Sequence, residues 1–208
     1  MYLKNPEAIE EKSMEIIGQG MRANDFDEQE LKVIKRTIHA TGDFDYQNIV
    51  EIKKGSINAG IAAIKSGGRI VTDTKMAFSG INKRSLEAAG CKIDCYIGEE
   101  EIFRTAKEKQ MTRSMAAMDF AAKAGADIFV IGNAPTALFR IGELIDRVKV
   151  NPKLIVGVPV GFVGAAESKE YIRGFDIPSI TTVGTKGGSN VAAAIMNALI
   201  YMAVGKVG

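Results

Sequence analysis

The sequence predicts an α/β protein: a mainly parallel sheet with helices on both faces, Rossmann-like and three-layered, preceded by two N-terminal helices. Three observations predict it. Six short runs rich in Ile and Val recur from residue 48 onward. Segments of helical character separate them, as the crossovers of parallel strands require. Two further helical segments precede the first run.

The first helix is expected over 6–20, with Pro6 early and Gly20 at its end, the order helix boundaries prefer. The second follows Asp25 or Asp27, either of which suits a cap, and runs to about residue 40. Its Leu31, Ile34 and Ile38 line one face, and Gly42 lets the chain turn out. Strands are expected over 48–52, 69–73, 92–97, 127–132, 154–158 and 179–183. Several are nearly continuous apolar runs, as strands covered on both faces should be. Helices fit over 56–66, 112–124, 136–149 and 190–204. In the strand over 92–97, Cys91, Ile93, Cys95 and Ile97 fall on one face by period-2 alternation. No repeat, low-complexity stretch or linker interrupts the pattern, so residues 1–208 read as one domain.

Bulk chemistry removes several function classes. With 46% hydrophobic and 25% charged residues the composition is that of an ordinary globular protein. A net charge of +2, no basic stripe and no Trp argue against nucleic-acid binding. No segment approaches the roughly 18 uninterrupted apolar residues of a membrane span, and the first residues lack the build of a signal peptide. A cytoplasmic location without membrane partners is the expectation. Two cysteines and one histidine do not complete a tetrahedral zinc site, so no protein-bound metal is expected.

Ligands of a parallel α/β sheet gather at the carboxyl ends of its strands. The loop over 184–190 is the most informative there. Its paired glycines, Gly187 and Gly188, let backbone approach a ligand, and Ser189 or Asn190 is placed to cap the next helix. Exposed N–H groups and Lys186 favour an anion; a glycine-rich turn with a surface lysine is the plainer reading. Lys186 precedes the glycines, so the phosphate-binding pattern G-x-x-x-x-G-K-[ST] is not met. Thr112 and Arg113 open a helix, either as a cap with a surface arginine or as a carboxylate site suited to the guanidinium fork.

His39 lies near a helix end, with Arg36 three residues before it on the same side. Arg36 disfavours the imidazolium, whereas the helix C-terminus and Asp43 or Asp45 favour it. Such opposed influences hold an imidazole near neutrality, where acid–base catalysis is most efficient. An isolated histidine is more often structural or merely exposed.

The stretches RTIHATG (36–42), TRSMA (112–116), GNAPTAL (132–138), PVGFVGAAESK (159–169) and GGS (187–189) together resemble the precorrin-8X methylmutase family. They stand in family order and span nearly the whole chain. The resemblance implies an isomerase that moves a methyl group from C-11 to C-12 of a tetrapyrrole ring in cobalamin biosynthesis. It implies His39 as the catalytic acid–base residue and Ser13 and Arg36 as substrate contacts. Thr112, Arg113, Asn133, Thr136, Lys186, Gly188, Ser189 and Asn190 lie in the family's motifs and are taken as further substrate contacts. No cofactor is implied, any cobalt being carried by the substrate, and the family's homodimers imply a homodimer here. Thr185 departs from the arginine often found beside Gly-Gly-Ser, leaving Lys186 as its expected replacement. The alternative is a non-catalytic corrinoid carrier, which needs the anion-binding loops but not His39.

Overall fold

The structure, a computed structural model, describes residues 3–23, 25–147 and 149–206. It opens with α1 (Pro6–Gly20) and α2 (Glu28–Thr41). Asn5 caps α1 by accepting from the Ala8 N–H. Of the two candidate aspartates Asp27 caps α2. Its carboxylate accepts from the N–H groups of Gln29 and Glu30, and the Glu30 carboxylate accepts from that of Asp27. Gly42 ends α2 at φ 67°, a left-handed conformation in which glycine carries no steric penalty.

The strands are β1 (Val50–Ile52), β2 (Arg69–Thr72), β3 (Lys92–Asp94), β4 (Ile128–Ile131), β5 (Leu154–Gly157) and β6 (Ser179–Thr182). They form one sheet in the order β1-β6-β5-β4-β2-β3. Every neighbouring pair is parallel except β1, which runs antiparallel to β6 at one edge. A short α3 (Tyr46–Ile49) leads into β1 and occupies the first part of the strand expected over 48–52. The crossovers carry α4 (Ser56–Lys65), α5 (Lys75–Gly80), α6 (Lys83–Ala88), α7 (Glu100–Glu108), α8 (Arg113–Lys123), α9 (Pro135–Asp146) and α10 (Ala165–Arg173). The last element is α11 (Ser189–Ala203).

Alternation along β4 divides the interior. Ile128 and Val130 join an apolar cluster with residues of α2, α4, α6 and α11, whereas Phe129 and Ile131 join one with residues of α7 to α10. Burying one such aliphatic side chain stabilises the fold by roughly 1.5–3 kcal/mol. Both clusters are therefore needed to hold the sheet between its helices.

The strand expected over 92–97 stops at Asp94, and residues 96–98 form a 3₁₀ turn. Ile93 packs into the first cluster and Ile97 into the second, so Cys91, Ile93, Cys95 and Ile97 do not share a face. The Tyr96 side chain explains the break. Its ring packs 4.7 Å from that of Phe120, and its hydroxyl donates to the Asp94 carboxylate at 3.1 Å. Among the described residues no helix is long and apolar enough to cross a membrane, and no group of three or more His, Cys, Asp and Glu is placed to hold a metal ion.

Candidate active site

The carboxyl ends of β2, β4, β5 and β6 carry loops that meet at one edge. Asp73, directly after β2, is buried, and its carboxylate organises the loop after β4. One oxygen accepts from the Gly132 N–H at 2.9 Å, and the other accepts from Asn133 and Ala134 at 2.8 Å each. Burial pushes the Asp73 carboxyl above its ordinary range, while the three backbone donors pull it down. Gly132 in turn backs onto the start of α11, where an added Cβ would lie 2.6 Å from the Ser189 Cα. Only glycine permits that approach.

Thr74 and Ser189 join their hydroxyls at 2.8 Å across this edge. Thr112 caps α8 by accepting from the Met115 N–H, and its hydroxyl meets that of Thr136 at 3.1 Å. Between α5 and α8 lies an open cleft of about 740 Å³, with Thr74, Lys75, Thr112, Arg113 and Asn133 on its walls. The Arg113 guanidinium stacks 4.7 Å from the Phe103 ring centroid, which orients it while leaving it exposed.

The loop after β6 is fixed from several sides. The Thr182 hydroxyl donates to the Lys186 carbonyl at 2.7 Å, and the Gly188 N–H donates to the Val158 carbonyl at 2.9 Å. An added Cβ on Gly187 would come within 2.1 Å of that same Val158 oxygen, so the second loop also needs glycine. The Tyr46 hydroxyl reaches the Gly187 carbonyl at 3.5 Å. Ser189 and Asn190 do not cap α11: Gly188 occupies the cap position, without a side chain. The Ser189 hydroxyl is engaged by Thr74, and the Asn190 amide donates to the Ala40 carbonyl at 3.4 Å.

Lys186 is not a free cation. Its ammonium pairs with Asp43 at 2.6 Å and Asp45 at 3.1 Å. The hydrogen bonds to these acids raise the Lys186 pKa, and the reciprocal bonds lower those of Asp43 and Asp45. The two carboxylates expected to act on His39 therefore face Lys186. Through these pairs and the Asn190–Ala40 contact the loop is tied to the end of α2, where His39 lies exposed.

Ser13 and Arg36 are placed differently. The Ser13 hydroxyl donates to the Ile9 carbonyl within α1. Arg36 pairs with Glu10 of α1 at 2.6 Å and stacks 5.1 Å from the Tyr201 ring centroid. It lines a separate groove of about 540 Å³ between α2, α4 and the end of α11. The motif residues Asn133, Gly188, Ser189, Asn190, Lys186, Thr112, Thr136 and Arg113 thus gather along the loop edge, while Ser13 and Arg36 sit on the α1–α2 pair.

Sequence reasoning passed over Asp73, placed at the end of a strand, and Lys169, which is fully buried beneath the 183–189 loop. A signal for Lys169 was present. It falls at the i+4 position from Ala165 and i−3 from Ile172, on the face of α10 that is buried. The PVGFVGAAESK stretch also exposes Phe162 and Val163 at 93% and 90%, an apolar tip beside a polar edge.

A mainly parallel sheet whose carboxyl edge gathers backbone donors, hydroxyls and an exposed arginine, with the end of α2 and its histidine tied alongside, defines an α/β protein with its candidate site at the carboxyl ends of the strands. The sequence model of the precorrin-8X methylmutase family matches residues 8–202. The cobalt-precorrin-8 methylmutase of Leptospira interrogans is 45% identical over 203 residues, covering 93% of this chain and 92% of the relative. That of Salmonella typhimurium is 44% identical over 207 residues, covering 96% and 97%. The crystal structure of precorrin-8x methyl mutase from Thermus thermophilus has a TM-score of 0.89 at 37% identity, covering 97% of this chain and 98% of that one. The chain belongs to the precorrin-8X methylmutase family. It is an isomerase that moves a methyl group within one molecule.

Proposed function

We propose that the protein converts precorrin-8, with or without cobalt, to a hydrogenobyrinate-type corrin in cobalamin biosynthesis, moving the methyl group from C-11 to C-12, with His39 as the acid–base residue. The observation that carries the assignment of His39 is its position. It is the one histidine of the chain, and it is exposed at the end of α2, where Asn190 of α11 donates to the Ala40 carbonyl and Lys186 pairs with Asp43 just past the helix.

In this reading His39 donates a proton or hydrogen bond to the conjugated ring, which lowers the barrier to a 1,5-sigmatropic shift, and takes any proton back as the product's conjugation forms. The C-11–methyl bond breaks as the C-12–methyl bond forms, so no methyl donor or redox partner enters the balance. The protein needs no cofactor of its own, and cobalt arrives with the substrate. Thr112, Arg113, Asn133, Thr136 and Ser189 receive the ring's peripheral carboxylates, for which hydroxyls, amides and a guanidinium fork are fitted, while Gly188, its N–H held by the Val158 carbonyl, shapes the loop beside them. Ser13 and Arg36 belong to the same reading on the α1–α2 side, Arg36 exchanging Glu10 for a substrate carboxylate.

A homodimer is part of the proposal. The exposed apolar side chains of Phe162 and Val163 beside the edge, and of Ile9 and Ile16 on α1, support a covering partner. So are a cytoplasmic location, supported by two free cysteines, and the Rossmann-like three-layer arrangement, supported by the two apolar clusters. Neither nucleic acid nor membrane is a partner in this reading.

The test is anaerobic conversion of precorrin-8X and its cobalt form, followed by absorption, with wild type and His39→Ala. Wild type converts; the variant binds but is slowed by roughly 10²–10⁴-fold, the usual contribution of acid–base catalysis. Equal rates overturn the role of His39. Binding without conversion by the wild type moves the protein to the carrier reading.

A further inference from the structure

The anion attraction of the 183–189 loop needs a positive charge, and Lys186 already holds two carboxylates. A second lysine meets the loop at the same peptide. Lys169 is fully buried under it, with Ala165, Ser168 and Ile172 on the same face of α10. Its ammonium donates to the Lys186 carbonyl at 2.9 Å and to the Thr182 hydroxyl at 3.1 Å. That hydroxyl donates to the same carbonyl at 2.7 Å. Two donors therefore hold the Lys186 oxygen inward. Because the peptide is planar and trans, the Gly187 N–H is turned the opposite way, and among the described residues it takes no backbone acceptor outside helix and strand ladders.

No ion pair joins Lys169 to an acid among the described residues. Glu167 and Glu170 of α10 itself are exposed, off the buried face that carries Lys169. Glu143 of α9 pairs with Arg140, and Asp146 accepts from the Tyr171 hydroxyl. Arg173 of α10, of the same sign as Lys169, donates to the Thr181 hydroxyl. Burial, aided by Arg173, draws the Lys169 pKa down to about 8, which still leaves it charged at neutral pH. A buried ammonium without a counter-charge is costly, and a well-packed apolar side chain of the same volume is often as stable or more so.

We infer that Lys169 is a positioning residue of the proposed active site, fixing the 183–189 loop from beneath and supplying the buried charge that a substrate carboxylate on the Gly187 N–H neutralises. The inference rests on the methylmutase reading, which brings a polycarboxylate to this loop. Lys169 does not touch the reacting carbons. It acts through the Lys186–Gly187 peptide.

The experiment compares wild type, Lys169→Met and Lys169→Arg in the full chain. It reads the thermal midpoint, the Kd for hydrogenobyrinate by absorption titration, and KM and kcat for conversion. Lys169→Met keeps or raises the thermal midpoint but weakens binding about 10–100-fold, the size of a lost charge-assisted hydrogen bond, with the loss falling mainly on KM. Lys169→Arg recovers part of the affinity. A lower midpoint with unchanged affinity shows a purely structural lysine and overturns the inference, as does unchanged affinity at an unchanged midpoint. If Lys169→Met does not fold, Thr182→Val removes the hydroxyl between Lys169 and the loop without changing charge. A loss of several-fold in affinity then supports the inference, and wild-type affinity overturns it. If the wild type itself binds no hydrogenobyrinate, the functional reading fails and takes this inference with it, so the two failures differ in which protein fails.

Discussion

Two loops form most of the site's edge, and each is held from beneath by a buried charge of opposite sign. Under residues 132–134 the Asp73 carboxylate accepts three backbone N–H groups, so the loop's own donors satisfy the charge. Under residues 183–189 the Lys169 ammonium meets, among the described residues, only a carbonyl and a hydroxyl. The first arrangement is closed: its hydrogen bonds are complete without a ligand. The second leaves a net positive charge close to the loop's own backbone. One loop is built to be rigid, and the other to be rigid and attractive to an anion.

The largest break in this comparison comes at Asp73. Asp73→Ala leaves three N–H groups without their acceptor, those of Gly132 and Ala134 in a buried place, and each such buried loss costs about 1–3 kcal/mol. Urea unfolding should show a destabilisation of about 4 kcal/mol or more, with the Thr112–Thr136 side of the cleft disordered and conversion lost. A change under about 1 kcal/mol would mean that the loop holds itself.

Lys169 should reveal itself through pH. Its folded pKa of about 8 lies below the ordinary 10.5. Between these values the unfolded chain keeps a proton that the folded chain has released, so stability rises as pH rises through the window. The full effect is at most about 3 kcal/mol, read as wild type minus Lys169→Met so that other titrating groups cancel. Asp73 has the mirror behaviour on the acid side. Its raised pKa makes the folded chain hold its proton longer, so its contribution falls as pH rises from the ordinary carboxylate value. A flat difference curve between pH 8 and 10 would remove the buried charge from beneath the second loop.

This contrast shows how much of the molecule could be seen beforehand. The parallel sheet was legible because Ile- and Val-rich runs such as 128–131 report burial on both faces directly. The end of β3 was not, because Tyr96 turns the chain by packing on Phe120, a residue far away in sequence. At the site, Gly187, Gly188 and His39 stood out by residue type. The roles of the two lysines did not. Lys186 looks like the anion's partner beside paired glycines, yet it is held by Asp43 and Asp45 across more than a hundred residues of sequence. Lys169 looks like an ordinary helix-surface lysine unless its spacing from Ala165 and Ile172 is taken to mark the buried face of α10. Residue type marks a chemical capacity, and only packing decides which partner uses it.

The smallest effect is expected at Lys186's acids, and it separates a surface tie from a buried support. Asp43, Asp45 and Lys186 are substantially exposed, so Asp43→Asn should leave the thermal midpoint unchanged, as removal of exposed ion pairs commonly does. Two acids against one ammonium leave a net negative charge next to the end of α2. Removing one lowers the repulsion felt by a polycarboxylate ring and should tighten hydrogenobyrinate by up to about threefold at low salt. Salt at about 1 M, where the Debye length is only about 3 Å, should erase the gain. If Asp43→Asn instead weakens binding more than about tenfold, the exposed pair and not Lys169 holds the loop. The second loop would then be fixed from its outer surface, unlike the first, whose Asp73 support is buried.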